Sequence, residues 1–142
     1  ERQYCSPGFD LPVGVLTRSM YGEFPEYHSS ADNLNFVSEE SLKESLELFL
    51  EIIKTYEANQ VFIRKEPHCE PQMGKYNLYR STGGAGEDSI DNLSQQRMWV
   101  LNYADGETDL LELSNKSGFN IFDLNLASKA LLENDLIRIY ES

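Results

Sequence analysis

Two histidines, His28 and His68, are the only imidazoles among the 142 residues, and metal or acid–base chemistry would start from them. His28 stands in EYHSSADN, residues 26–33, a small polar loop. An imidazole ligates zinc well when one ring nitrogen is neutral and the other donates to a carboxylate or carbonyl that fixes the tautomer. Asp32, four residues on, is placed to support or cap such a loop. A catalytic zinc needs three or more protein ligands, yet the chain has no His-x-x-x-His, no Cys-x-x-Cys and no second ligand beside His28. Local spacing therefore leaves two readings of His28 open, a plain surface-loop residue and a ligand.

His68 and Cys69 are adjacent in EPHCEP. With Cys5 they would make another candidate zinc set, but adjacent ligands strain a tetrahedron, and Pro67 and Pro71 hold the segment extended. No Gly-x-Ser-x-Gly turn is present and neither histidine has a flagged serine or cysteine partner, so nucleophilic catalysis lacks support. TGGAGED, residues 82–88, has the glycines of a phosphate loop without a following Gly-Lys-Ser/Thr. Its acidic flanks favour a solvated hinge.

The surroundings of these residues narrow the function classes. Twelve basic against 24 acidic residues give a net charge of −12, which repels phosphate backbones and anionic lipid heads unless a basic patch intervenes. The densest basic pair, Arg64-Lys65, is followed directly by Glu66. Glu47 and Glu51 interrupt the richest apolar run, so no stretch reaches the roughly 18 residues of a membrane span, and no signal-peptide pattern is present. Cys5 and Cys69 allow one disulfide but imply no framework, which favours a reducing, cytoplasmic location. The chain opens Glu-Arg-Gln-Tyr-Cys without methionine or polar leader, as expected of a piece cut from something longer.

Residues 1–37 are rich in Gly, Pro, Tyr and Ser around one strand-like run, PVGVLTR at 12–18. Such loops fold on a scaffold and form the rim of a site. Ser38 then caps a strong helix, with Glu39 and Glu40 at its positive end and Leu42, Leu46, Phe49, Leu50 and Ile53 at helical spacing. Asn59 stops it. So apolar a helix needs a broad partner, expected to be more sheet encoded upstream. Residues 61–63 read as a short strand, followed by irregular sequence with two prolines and a glycine.

From residue 89 the pattern becomes compact helices. Ile90, Leu93, Met98, Leu101 and Tyr103 predict a helix around Trp99; Thr108 is placed to cap a second, ended by Gly118; Asn120 caps a third. Residues 136–140, LIRIY, form a terminal strand. This is the winged-helix order of elements. A DNA-reading version needs basic residues on its third helix, but residues 90–142 hold four basic and nine acidic side chains, a net of −5. The balance argues against nucleic acid and for a packing or partner-binding domain.

ERQYCSPGFDLPVGVLTRSMYGEFPEYHSSADN, the long helix and PHCEPQMGKYNLYRS together resemble the C-terminal part of a bacterial family of aminopeptidase-like proteins. Its members are known as domains of unknown function or as polysaccharide-biosynthesis proteins with an aminopeptidase-like domain. The resemblance covers essentially the whole chain and is most specific over residues 1–11, 26–32 and 70–75. It implies similarity to co-catalytic zinc aminopeptidases, in which two metals activate a water that attacks an amide carbonyl and a glutamate acts as general base. By the family's pattern the late histidine ligand falls on His28. The preceding aspartate ligand belongs just before Glu1, and the other ligands and the base lie further upstream, so no catalytic residue is assigned in this chain. Tyr4 and Tyr27 become candidates for holding substrate, since a phenol donates to a developing oxyanion; aromatic packing is the competing reading.

The expected architecture is the end of an α/β aminopeptidase-like domain at residues 1–60, an irregular connector at 61–88 and a winged helix at 89–142. The expected function is that of a fragment of a zinc-dependent hydrolase of peptide-like or amide substrates, inactive alone and metal-free. Its expected partner is the upstream part of the same domain. The alternative is a non-enzymatic interaction or regulatory module acting through the winged helix.

Overall fold

The computed structural model describes residues 1–78 and 92–140. The chain divides into two compact units, Glu1–Leu50 and Glu51–Ser142, with the division falling inside the first helix. Among the described residues no helix is long and apolar enough to cross a membrane, and both cysteines are free thiols.

The first unit is built from turns. Residues 12–18, expected as a strand, join no ladder: a ladder needs a neighbour's N–H and C=O groups, and the bonds at Val13 are its N–H to Leu11 O at 2.9 Å and its carbonyl from the Cys5 thiol at 3.4 Å. The α/β character expected over residues 1–60 is thus carried in this unit by helix alone. That helix, α1, spans Glu39–Ala58. The Ser38 hydroxyl caps it, accepting from Ser41 N–H at 3.1 Å. Arg18 fastens this segment to it, reaching the Glu44 carboxylate at 2.9 Å and the Ser41 carbonyl at 3.1 Å. The apolar stripe predicted for α1 is present, yet Leu42, Leu46, Phe49 and Ile53 remain 44–62% exposed.

In the second unit the remaining elements are β1 (Val61–Arg64), α2 (Asn92–Asn102), β2 (Asp105–Asp109), α3 (Leu110–Ser117), α4 (Ile121–Glu133) and β3 (Ile137–Ile139). The three strands form one antiparallel sheet in the order β2-β1-β3. The central strand therefore precedes all three short helices in the chain. Residues 61–78, expected as part of an irregular connector, supply that strand and also Met73 and Leu78, both buried in the core. The reason is simple: β3 after α4 has its backbone partner in β1, so the sheet closes only if the earlier segment enters it.

The core lies between the helices and the sheet. Leu124, Ala127 and Leu131 of α4 are fully buried. They pack with Val100 and Leu101 of α2, Leu110 and Leu113 of α3, and Phe62 and Ile137 of the sheet. The helix around Trp99 is present, while Ile90 and the glycine-rich residues 82–88 lie outside the described residues. Asn120 caps α4 through its side chain, accepting from Phe122 N–H, and Gly118 ends α3 at φ 76°, a left-handed position that suits glycine.

One cap differs from expectation. Asp109, not Thr108, caps α3, accepting from Glu112 N–H at 2.8 Å, because Thr108 belongs to β2 and its hydroxyl is committed to Asp105. Strand β2, DGETD, carries no apolar alternation to announce it. It also bulges: Val61 faces Asp109 and Ile63 faces Asp105, so two steps on β1 oppose four on β2. Gly106 at φ 85° turns within the bulge, a conformation costly for any residue with a Cβ.

Candidate functional site

The His28 loop is held by short side-chain bonds rather than by a core. Ser29 hydroxyl donates to the Glu26 carbonyl at 2.9 Å and accepts from Ala31 N–H at 3.2 Å. Asn33 bonds to the Ser30 carbonyl at 3.2 Å and accepts from Asn35 N–H at 2.9 Å. These are the local turns that Ser and Asn side chains make with nearby backbone. Asp32, expected to support the loop, enters it through its backbone N–H to Ser29 O at 3.2 Å. Ser29 and Asn33 do the tying.

His28 itself sits at φ 55°, uncommon for a residue with a side chain and favoured only where local bonds hold it. Its ring meets the edge of Tyr27 at 4.2 Å between centroids and 87° between planes. Tyr27 in turn stacks on Tyr21 at 6.1 Å and meets Phe24 at 5.7 Å, and Phe24 stacks on Phe36 at 5.6 Å. An aromatic chain thus backs an exposed imidazole. Of the sequence candidates, the structure brings Tyr27 against His28. Tyr4 is exposed and its described bonds are backbone ones, to Glu1 and Leu11.

Among the described residues no group of three or more His, Cys, Asp or Glu side chains could hold a metal ion. The loop offers a single imidazole, short of the three protein ligands a catalytic zinc takes, so no hydrolytic step follows from this chain's own residues. At the other histidine, His68 Nδ1 lies 2.9 Å from Glu66. The hydrogen bonds from His68, ring first and backbone second, hold the Glu66 carboxyl below its ordinary value. That nitrogen is engaged with a carboxylate, and Cys69 stands at φ 60°.

On the winged-helix unit, α4 turns Phe122, Asp123, Leu126, Lys129 and Glu133 to solvent, with Leu126 59% exposed. Counterion release from a face with one lysine and two carboxylates contributes little to phosphate binding. The features that sequence reasoning missed are β2, the Asp105 turn at its start and the Asn59 side chain. Asn59 accepts from Leu111 N–H at 2.8 Å and donates to Asp109 at 3.1 Å. The signal for Asp105 was its spacing to Thr108, an Asp with a hydroxyl three residues on.

Comparison with known proteins divides the chain after residue 59, past the end of α1 rather than inside it. Residues 1–59 match a family model described as a domain of unknown function (DUF4910), and residues 60–139 match one described as winged helix-turn-helix. The chain is 42% identical over 139 residues to a Clostridium acetobutylicum protein named as a candidate polysaccharide biosynthesis protein with aminopeptidase-like domain. That match takes in 98% of this chain and 31% of the relative. A crystal structure of a candidate peptidase from Clostridium acetobutylicum matches with a TM-score of 0.74 and 38% identity, over 97% of this chain and 29% of the other. The chain therefore spans less than a third of the length of either relative.

Proposed function

We propose a function on the premise that the chain, through residues 60–139, belongs to the winged helix-turn-helix family. In this reading it is the winged-helix-bearing part of an aminopeptidase-like hydrolase that cleaves amide bonds with zinc. Residues 1–60 end the catalytic α/β domain, and His28 gives one metal its imidazole. The other ligands and the general base belong to parts of the protein outside these 142 residues. Tyr27, and Tyr4 beside it in role, line the substrate side, where a phenol would donate to a developing oxyanion.

The observation that carries this reading is the His28 loop. A polar loop ties itself around an exposed imidazole at a left-handed backbone position and leans that ring on Tyr27. A donor held this way, with no set of three ligating side chains around it among the described residues, suits a centre completed from elsewhere. The likeness to the Clostridium acetobutylicum sequence and crystal structure supplies the class of enzyme. The test is metal analysis and amide hydrolysis by the longer protein, with and without His28→Ala. The variant is expected to lose zinc and most of its hydrolysis; a full zinc complement with unchanged hydrolysis would sink the reading.

A second reading rests on α4. Its exposed Phe122 and Leu126, set among acidic side chains, suit a protein partner better than DNA. In that case the longer protein would bind no zinc and hydrolyse nothing, and a gel shift with duplex DNA at low salt would also be empty.

A further inference from the structure

A concave surface lies in the winged-helix unit, away from His28 in sequence. The segment that follows β1, the 3-10 turn Met73–Tyr76 and the turn between α4 and β3 enclose a groove of about 420 Å3. Its apolar floor is made by Leu136, Pro71 and the Tyr76 ring; Leu101 also lines it but is only 2% exposed. Around it stand Arg64, Lys65, His68 and Lys75. Three of the twelve Lys and Arg side chains and one of the two histidines thus gather within residues 64–75 of a chain whose net charge is −12.

Three carboxylates share the lining, Glu66, Glu70 and Asp135. Glu66 is bound to His68 at 2.9 Å, and Asp135 is paired with Lys65. The two remaining cations are differently placed. The Arg64 guanidinium donates to a neutral acceptor, the Cys69 carbonyl, and keeps further donors on its planar fork. Lys75 forms no ion pair among the described residues; its ammonium lies 5.8 Å from the Tyr76 ring centroid. The walls are shaped in advance of any ligand: Lys65 N–H bonds to Leu136 O at 3.1 Å, and His68 N–H bonds to Glu66 at 3.2 Å. A preformed groove of this volume over an apolar floor is the usual form of a small-molecule site, and preorganisation lowers the entropy lost on binding.

We propose that this groove binds a small anionic ligand with an apolar body, a carboxylate or a phosphate ester, its anionic oxygens between Arg64 and Lys75 and its body on Leu136, Pro71 and the Tyr76 ring. Charge-assisted bonds from a guanidinium and an ammonium are the strong contacts, and the apolar floor selects against bare inorganic ions. A polyanion such as nucleic acid is a poor occupant, because Glu66, Glu70 and Asp135 surround the same opening.

The experiment is an NMR titration of the isotope-labelled full chain with benzoate and with phenyl phosphate at constant ionic strength, sodium chloride serving as control. Saturable shifts centred on residues 64–76 are expected with at least one of the two probes, and the better probe identifies the anionic group. Lys75→Gln and Arg64→Gln should each weaken binding about tenfold, while Lys129→Gln, outside the groove, leaves it unchanged. Arg64 also holds the Cys69 loop, so exposed Lys75 is the cleaner variant. Shifts that chloride reproduces overturn the proposal, as does a Lys75→Gln chain that binds like its parent.

Discussion

Asp105 organises the start of β2 with one side chain. Its carboxylate accepts from Thr108 N–H at 2.8 Å, Glu107 N–H at 2.9 Å and the Thr108 hydroxyl at 3.0 Å. Burial alone would raise its pKa, but these bonds, the Thr108 N–H first among them, hold the carboxyl below the usual Asp value. A depressed folded-state pKa contributes stability above the unfolded value, and that contribution is lost as pH falls through the folded value. Asp105→Ala should therefore cost about 1 kcal/mol at neutral pH, with the gap to wild type closing in acid. Urea unfolding followed by Trp99 fluorescence reads this directly, and a gap independent of pH would count against it. At the same scale, His28 was visible as an oddity in the sequence, while the Ser29 and Asn33 bonds that hold it were not. A candidate ligand is a residue type, but its presentation depends on the backbone around it.

Where α3 begins, several elements meet through a few polar atoms. Asp109 caps the helix with one carboxylate oxygen, at 2.8 Å from Glu112 N–H, and accepts from Asn59 with the other at 3.1 Å. Asn59, at the end of α1, returns a bond from its own oxygen to Leu111 N–H at 2.8 Å. Asp109→Ala and Asn59→Ala should each destabilise the chain by about 1–2 kcal/mol. The double variant should cost less than their sum, because the two share a bond; strict additivity in chemical denaturation would show that they act apart. Caps were the most legible elements of the fold. Ser38, Asn120 and Gly118 were readable because a cap acts within one helical turn. Thr108 was misread for its neighbour because β2 is polar and becomes a strand only when β1 lies beside it.

Across the whole molecule, burial divides the apolar residues into two kinds. Leu124 is fully buried in the core of the second unit, whereas Leu46 is 59% exposed on α1. Leu124→Ala should cost about 2–5 kcal/mol through lost packing and a residual cavity, while Leu46→Ala in this chain should stay within about 0.5 kcal/mol. Thermal and urea unfolding of the two variants compare them, and equal costs would mean that α1 buries its stripe in solution. Both leucines sit at helical spacing in the sequence, and nothing local separates them. The sequence by itself determined the helices, the caps at Ser38, Asn120 and Gly118, the acidic balance that argues against nucleic acid, and the imidazole loop, because each is set by side chains a few positions apart. Only the tertiary structure decided that β1 enters the sheet between β2 and β3, and that cations near residue 65 share a groove with Asp135. Those contacts join residues as much as 77 positions apart, Phe62 and Ile139, and such partners are chosen by backbone hydrogen bonding and burial, which no local spacing records.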